Sequence, residues 1–359
     1  MQVFSCACGN RLHFGNTRCL ACGRALGFDP GSRQLLALEP DGEGRWRAPT
    51  RPGQPSFRDC ANHRAAGCDW LVPAGCEDTL CLACRLTLTI PDLDSEVNRL
   101  YWRRLEAAKR YLIYDLLRLG LPVADRWQDP ERGLVFEFLA DAETPDGLQQ
   151  ILTGHGGGRI TINVAEADEV YRERMRVALG EAYRTLLGHM RHEIGHYYWM
   201  RLIEASPWIE RFRALFGDER EPYQEALQRY YRYGPQDPDW ARRHISAYAA
   251  SHPWEDWAET WAHYLHITDA LETAAVYGLT DPVHPTRTPV AELLERWHGL
   301  SEALNALSRS LGQRDPYPFQ VTEPVAEKLA LVQAVVGACY DSGGAGSSSK
   351  SRCSPSRHD

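Results

Sequence analysis

Apolar residues recur every three to four positions through residues 182–200, AYRTLLGHMRHEIGHYYWM, which predicts a helix with one buried face. That face carries Tyr183, Leu186, Leu187, Met190, Ile194, Tyr197 and Tyr198. Gly195 lies inside this predicted helix. Because a glycine inside a helix costs about 1 kcal/mol relative to alanine, we expect another segment to approach closely at that position.

The same periodicity predicts further helices, and short runs bounded by turn residues predict two strands. The helices fall at residues 94–120, 246–267, 289–310 and 323–338, with charged helical segments between 204 and 245, and the strands fall at 134–139 (LVFEFL) and 159–164 (RITINV). This pattern is typical of a mostly helical α+β fold.

The central helix holds His192, Glu193 and His196 in the order HExxH. Because they are four residues apart on a helix, the two imidazoles share one face and can bind a single zinc ion. Glu193 stands beside that face, where a carboxylate can take a proton from a zinc-activated water. A chance occurrence of the motif is the alternative, but charged side chains on so apolar a helix need partners.

A catalytic zinc usually takes three protein ligands, so a third must come from another segment. Residues 246–267, SAYAASHPWEDWAETWAHYLHI, place Glu255 and Glu259 one helical turn apart. One of them could bind zinc while the other accepts the spare N–H of a zinc-bound histidine. Alternatively, Glu255 only stabilises the amino end of its own helix, a common use of acidic residues in a first turn.

Composition describes an ordinary globular protein, with 359 residues of which 43% are apolar and 25% charged. No membrane span is visible, and residues 1–10 lack the basic and apolar regions of a signal peptide, so we expect a cytoplasmic location. In that compartment the eleven cysteines indicate zinc ligands rather than disulfides. The net charge of −8 argues against a chain built mainly to bind nucleic acid.

The first four cysteines, Cys6, Cys8, Cys19 and Cys22, form two close pairs separated by ten residues. This spacing is typical of a tetrahedral zinc ribbon, with a glycine after each pair to let the backbone turn around sulfur. A segment of about thirty residues cannot bury enough surface to fold alone, so the metal would stabilise it. A redox role for Cys19 and Cys22 is the weaker interpretation, because no βαβ pattern surrounds them.

Residues 29–56 are rich in Pro, Gly and Arg, which predicts a hairpin or linker. A second group follows, with Cys60, His63, Cys68, Cys76, Cys81 and Cys84. Cys81 and Cys84 make a CxxC pair, and Cys60 with Cys68 would complete a second site of four thiolates. The Ser- and Gly-rich end of the chain, residues 341–359, is expected to be disordered.

The segments RHEIGHYYW and SHPWEDWAETWAHYLHI, together with the Cys-rich front end, resemble bacterial zinc-binding metallopeptidases that carry an N-terminal zinc ribbon. The resemblance runs from about residue 4 to about residue 335. More broadly, the chain is similar to gluzincins, in which the third zinc ligand is a glutamate from a second helix. The resemblance implies a zincin-like domain with a small antiparallel sheet ahead of the HExxH helix.

The resemblance also implies particular roles. Glu255 would bind zinc, Glu259 would support a zinc-bound histidine, and Tyr248, seven residues before Glu255, would help to hold the oxyanion. It supports Cys60, Cys68, Cys81 and Cys84 as the second zinc set, and it allows the strand at 159–164 to pair with an extended substrate. The expected organisation is a zinc ribbon in residues 1–30, a linker and second Cys-rich module in 31–90, the metallopeptidase domain in 91–340 and the tail in 341–359.

We therefore expect a zinc peptidase acting on peptides or proteins, with one catalytic and one or two structural zinc ions. The rival hypothesis is a binding protein in which the zincin fold has no turnover and the ribbon recruits a protein or nucleic-acid partner. Arg11, Arg18 and Arg24 give that idea only a thin positive surface. In a third hypothesis, the front end covers the cleft until it is displaced.

Overall fold

A computed structural model describes residues 3–51, 53, 55–144, 147–149, 151 and 153–343. The strands are β1 (Val3–Ser5), β2 (Arg11–His13), β3 (Ala25–Asp29), β4 (Gln34–Pro40), β5 (Trp46–Arg47), β6 (Phe57–Asp59), β7 (Leu71–Pro73), β8 (Thr87–Thr89), β9 (Val135–Leu139), β10 (Ala142–Thr144), β11 (Gly147–Gln149), β12 (Gly154–Gly156) and β13 (Arg159–Asn163). The helices are α1 (His63–Ala66), α2 (Glu96–Arg118), α3 (Glu169–Ala178), α4 (Leu186–Leu202), α5 (Ile209–Phe216), α6 (Tyr223–Tyr233), α7 (Pro253–Val276), α8 (Val290–Ser310) and α9 (Glu323–Gly343).

The front of the chain folds as two small antiparallel sheets. β1 and β2 form a hairpin, and β3 to β7 follow one another in a five-stranded sheet. The backbone N–H of Phe28 in β3 donates to the carbonyl of Asp69, just before β7, so the sheet curls until its two edges meet. Its own small core consists of Leu36, Leu38, Ala48, Phe57 and Leu71. Residues 29–56, with their predicted hairpin or linker, thus contain the turn that follows β3, then β4 and β5.

A second sheet has the strand order β12-β13-β9-β8. β9 runs parallel to both β13 and β8, and only β12 is antiparallel to its neighbour, so the sheet is mixed rather than antiparallel as predicted. The reason is topological. Parallel neighbours need a long crossover connection, and the 23-residue helix α2 provides one between β8 and β9. The mostly helical α+β class is otherwise as expected.

The HExxH helix α4 packs against α7, and the two helices run in opposite directions. Gly188 near the start of α4 lies against His266, whereas His196 two turns later faces Glu255. A Cβ on Gly195 would lie 2.9 Å from the Cα of Ala258. The expected close approach at this glycine is therefore confirmed, and the partner is α7.

A buried ionic cluster fixes α4 to both of its neighbours. The Arg191 guanidinium donates to Asp115 of α2 and, at 2.8 Å, to Asp269 of α7. Burial opposes the charge on Arg191, but the two carboxylates outweigh burial and hold its pKa above the usual value. Such a cluster is costly to break, because a lone partner would be left buried and charged.

Several element boundaries differ from those predicted. α7 begins at Pro253 rather than at residue 246, because the ring of His252 accepts the backbone N–H of Trp254 and caps the amino end of the helix. The helix extends to Val276. The sequence patterns missed α3 altogether, and no side chain of α3 is buried. The predicted disordered tail lies, beyond residue 343, outside the described residues. Among those residues no helix has the length and apolar character needed to cross a membrane.

Candidate metal centre

The facing sides of α4 and α7 bring His192, His196 and Glu255 together. The Nε2 atoms of the two histidines are 3.2 Å apart. Glu255 Oε2 lies 3.0 Å from His192 Nε2 and 3.5 Å from His196 Nε2. Zinc bonded to nitrogen and oxygen at about 2.0–2.1 Å in tetrahedral geometry separates its ligand atoms by about 3.3 Å. The three atoms therefore fit a zinc ion between them.

The electrostatics of the three groups fit the same ion. Glu255 is 1% exposed, and its Oε2 has no hydrogen-bond partner within the described chain. Burial raises the pKa of Glu255, but the two facing imidazoles outweigh burial and hold that pKa well below its usual value. A buried carboxylate oxygen that faces two imidazole nitrogens needs a cation, and zinc accepts this donor set.

Glu259 lies one turn after Glu255 and contacts the other side of His192. Its Oε1 is 2.8 Å from His192 Nδ1, and its Oε2 accepts the hydroxyl of Ser246 at 2.7 Å. Burial raises the pKa of Glu259, but the bond to His192 outweighs burial and lowers that pKa to about 2. An ionised Glu259 fixes the ring so that Nε2 points at the metal position.

Glu193 follows His192 and is 5% exposed. Its Oε2 is buried and makes no hydrogen bond to any described residue. Burying a polar oxygen without a partner is costly, and such exceptions in native structures need an explanation. Glu193 directly follows the candidate ligand His192 in α4.

Two tyrosines approach the three ligands. The ring of Tyr248 lies 5.9 Å from that of His192, and burial, followed by the charge of Glu255, raises the Tyr248 pKa well above its usual value. Tyr223, the first residue of α6, donates its hydroxyl to Glu255 Oε1. Sequence reasoning missed Tyr223 because it lies 32 residues before Glu255, with no motif joining the two.

The remaining histidines near the site have other partners. His155 Nε2 accepts the backbone N–H of Gly158 while its ring stacks on His196, and burial lowers its pKa to about 3. The rings of His244, His252, His263 and His266 contact Asp256, the Glu221 carbonyl, Tyr317 and Arg191, in that order. None of them joins the three-residue cluster.

The sheet presents a different strand to the metal centre from the one predicted. β13, the RITINV strand, lies between β12 and β9, so its backbone groups already pair on both sides. The predicted pairing of β13 with a substrate is therefore wrong. The edge strand next to β13 is β12, whose His155 stacks on His196.

The first cysteine group comes together at the β1–β2 hairpin. The Sγ atoms of Cys6 and Cys22 are 3.6 Å apart, and those of Cys8 and Cys19 are 3.7 Å apart. Zinc–sulfur bonds of about 2.3 Å place tetrahedral thiolates about 3.8 Å apart, so the group fits one ion. The glycines after each pair, Gly9 and Gly23, have φ of 85° and 74°, as turns around a metal require.

Cys60, Cys68, Cys81 and Cys84 form the second group, and all four are buried. The Sγ atoms of Cys68 and Cys81 are 3.6 Å apart, and the backbone N–H groups of Cys81 and Cys84 donate to Cys60 and Cys81 sulfur. Cys76 lies outside this group. His63 instead uses Nδ1 to contact the Cys68 carbonyl at 2.8 Å.

The ribbon lies far from the candidate catalytic site. His13 of β2 stacks on Tyr277, at the carboxyl end of α7, with ring centroids 6.4 Å apart. Glu255 stands at the amino end of the same helix. The 22 residues between Glu255 and Tyr277 correspond to about 33 Å at 1.5 Å per residue. The ribbon therefore docks at the opposite end of α7 from the three ligands.

Comparison with known proteins gives a consistent result. Residues 98–335, more than half of the chain, match the family described as "Putative zinc-binding metallo-peptidase", and residues 3–95 match a zinc-ribbon domain. Proteins from Mycobacterium bovis and Mycobacterium tuberculosis, each named "Uncharacterized protein", are 43% identical over 344 residues, which is 94% of this chain and 95% of theirs. No solved structure matches the chain.

Proposed function

We propose that this chain is a zinc-dependent hydrolase of peptide bonds. The premise is that it belongs to the zinc-binding metallopeptidase family matched by residues 98–335. His192, His196 and Glu255 would hold the metal. Bound there, zinc would act as a Lewis acid that polarises the scissile carbonyl and acidifies a water. Because the two cysteine groups need reduced thiols to bind zinc, we also propose that the protein works in the cytoplasm.

In this proposal each neighbouring side chain has one task. Glu193 accepts the proton of the attacking water and later delivers it to the leaving amine. Tyr248 donates a hydrogen bond to the developing oxyanion, a contribution of a few kcal/mol when the donor is preorganised. Glu259 holds the orientation of His192. β12, as the free sheet edge beside His196, is the strand available for pairing with an extended peptide.

The observation that carries the proposal is the buried Oε2 of Glu193, which bonds to no described residue, directly after His192 in the chain, one of three residues whose ligand atoms converge. A structural zinc site is closed by four protein ligands, whereas here three ligands leave a position for water and a base stands beside it. The two cysteine groups each supply four thiolates and leave no such position.

The non-catalytic and autoinhibited alternatives receive less support. A ribbon that docks about 33 Å along α7 from Glu255 does not cover the metal centre. A partner-binding role for the ribbon remains compatible with peptidase activity, because Leu20 at its tip is 94% exposed. Such a partner would be a protein rather than nucleic acid, given the acidic chain.

The decisive test is cleavage of a diverse peptide library, read by mass spectrometry, with wild type and Glu193→Gln side by side. We expect cuts by wild type that fall by about 100-fold or more in the variant, because the general base is lost while the shape is kept. Zinc content serves as the control and should be equal in the two proteins. Equal cleavage by both would overturn the role of Glu193.

Zinc counting tests the metal centre separately from activity. We expect three zinc ions per chain in wild type and two in His196→Ala. The exposed His298 provides the matched control, and His298→Ala should keep all three. A wild type with two zinc ions, neither sensitive to His196, would contradict a catalytic zinc site.

A further inference from the structure

α6 reaches the metal centre through its first residue, although it is otherwise loosely packed. Ala226 is its one buried residue. Tyr223 nevertheless donates its hydroxyl to Glu255 Oε1 at 2.5 Å. The Tyr223 ring also packs against His252 and Trp254, with centroids 5.1 and 5.5 Å away. The hydroxyl is thus aimed at the ligand by packing that does not depend on the hydrogen bond.

The two oxygens of Glu255 consequently face different partners. Oε2 points at the Nε2 atoms of His192 and His196 and makes no hydrogen bond to the described part of the chain, whereas Oε1 accepts from Tyr223. A carboxylate can bind a metal through one oxygen or through both. The hydrogen bond from the phenol holds Oε1 toward Tyr223, so Oε2, which faces the two imidazoles, is the oxygen placed to approach the ion.

We propose that Tyr223 is a positioning residue that restricts Glu255 to single-oxygen ligation and so keeps a coordination position open for water and substrate. This inference rests on the proposed zinc site, because two oxygens from Glu255 would crowd the position that a catalytic zinc must leave free. Hydrogen-bond partners of metal ligands typically change metal affinity by about 10- to 100-fold.

The test uses Tyr223→Phe, which removes the hydroxyl and keeps the ring packing. Tyr233→Phe, on the same helix and 68% exposed in wild type, is the matched control. Each protein is loaded with Co²⁺, and the visible spectrum of the equally loaded His196→Ala chain is subtracted. The difference isolates the third metal site from the two cysteine sites and reports its coordination number. Zinc affinity of that site is measured by competition with a chelating dye.

We expect a four-coordinate difference spectrum in wild type and in Tyr233→Phe. In Tyr223→Phe we expect a spectrum of higher coordination number and zinc affinity changed by about 10- to 100-fold, with both cysteine-bound metals retained. An unchanged spectrum and affinity in Tyr223→Phe would overturn the proposal. A wild-type spectrum of higher coordination number would overturn it too, even if the variant failed to fold.

Neither readout needs peptide cleavage, so this inference and the proposed function can fail separately. A chain that binds the third metal in the expected geometry but cleaves no peptide would leave Tyr223 in its role and remove the peptidase. If wild type cleaves peptides but Tyr223→Phe leaves the spectrum unchanged, the peptidase would stand and the role of Tyr223 would fall.

Discussion

Each of the two cysteine groups supplies four thiolates, yet the two groups lie in very different surroundings. In the first, Cys8 and Cys22 are exposed and the supporting structure is a hairpin of two three-residue strands. In the second, all four cysteines are buried beneath α2. Cys84 lies 3.9 Å from Glu106, which pairs in turn with the fully buried Lys109.

The difference matters because α2 connects the second group to α4, the helix that carries the candidate ligands His192 and His196. Glu106 and Arg110 contact the region of the second group, and Asp115, farther along α2, pairs with Arg191. Arg191 directly precedes the candidate ligand His192. We infer that the second zinc site stabilises the scaffold that positions the catalytic ligands, whereas the first stabilises a surface module.

The largest expected effect is the loss of a thiolate from the second group. Cys68→Ser should abolish the cooperative thermal transition of the chain, because structural zinc contributes about 10 kcal/mol or more, which is as large as the whole stability of a domain. Cys22→Ser in the first group should lose one zinc but keep the main transition. Calorimetry with zinc analysis measures both, and equal loss of the transition in the two variants would refute the distinction.

The next effect concerns the buried charges beside the second group. Lys109→Met removes the cation that pairs with the buried Glu106 and should lower the free energy of unfolding by about 3–5 kcal/mol. The Arg24–Glu39 pair beside the first group is partly exposed, so Arg24→Met should leave the unfolding curve unchanged within error. Urea titration compares the two, and a stable Lys109→Met chain would show that the buried pair is dispensable.

Removal of zinc should also distinguish the two cysteine groups. Under excess chelator we expect zinc to leave the first group before the second, because exposed ligands open locally and buried ones only with larger unfolding. Zinc release is followed with an indicator dye in the His196→Ala chain, which lacks the third ion. It should show two phases, and the fast phase should be missing when Cys22→Ser is added. Release of both ions in one phase would mean that the two modules open together.

The smallest effect is expected at the tip of the ribbon. Leu20 is 94% exposed between two ligands, so Leu20→Ala should change stability by no more than about 0.5 kcal/mol. Zinc content should also stay the same. A larger loss of stability, measured by denaturant titration, would show that Leu20 contributes to the fold rather than to a surface.

The candidate site was predicted from sequence wherever its residues are joined by a short spacing. HExxH on a helix places two imidazoles together, and Glu255 with Glu259 one turn apart gave both residues a task that the structure allows. Gly195 even indicated the close approach of α7. Tyr223 was out of reach, because nothing local connects α6 to Glu255. The edge position of β12 and the parallel pairs in the sheet depended on the crossover through α2.

Sequence patterns predicted the long helices α2, α4, α7, α8 and α9, the two cysteine groups and the HExxH face, because each depends on residues within a few turns or one loop of each other. The tertiary structure alone decided which zinc group is buried, which tyrosine meets the metal ligand and which strand faces the cleft. The physical reason is that periodicity reports which face of an element is buried but does not report what lies against that face. That information arises only when segments that are distant in the chain pack together.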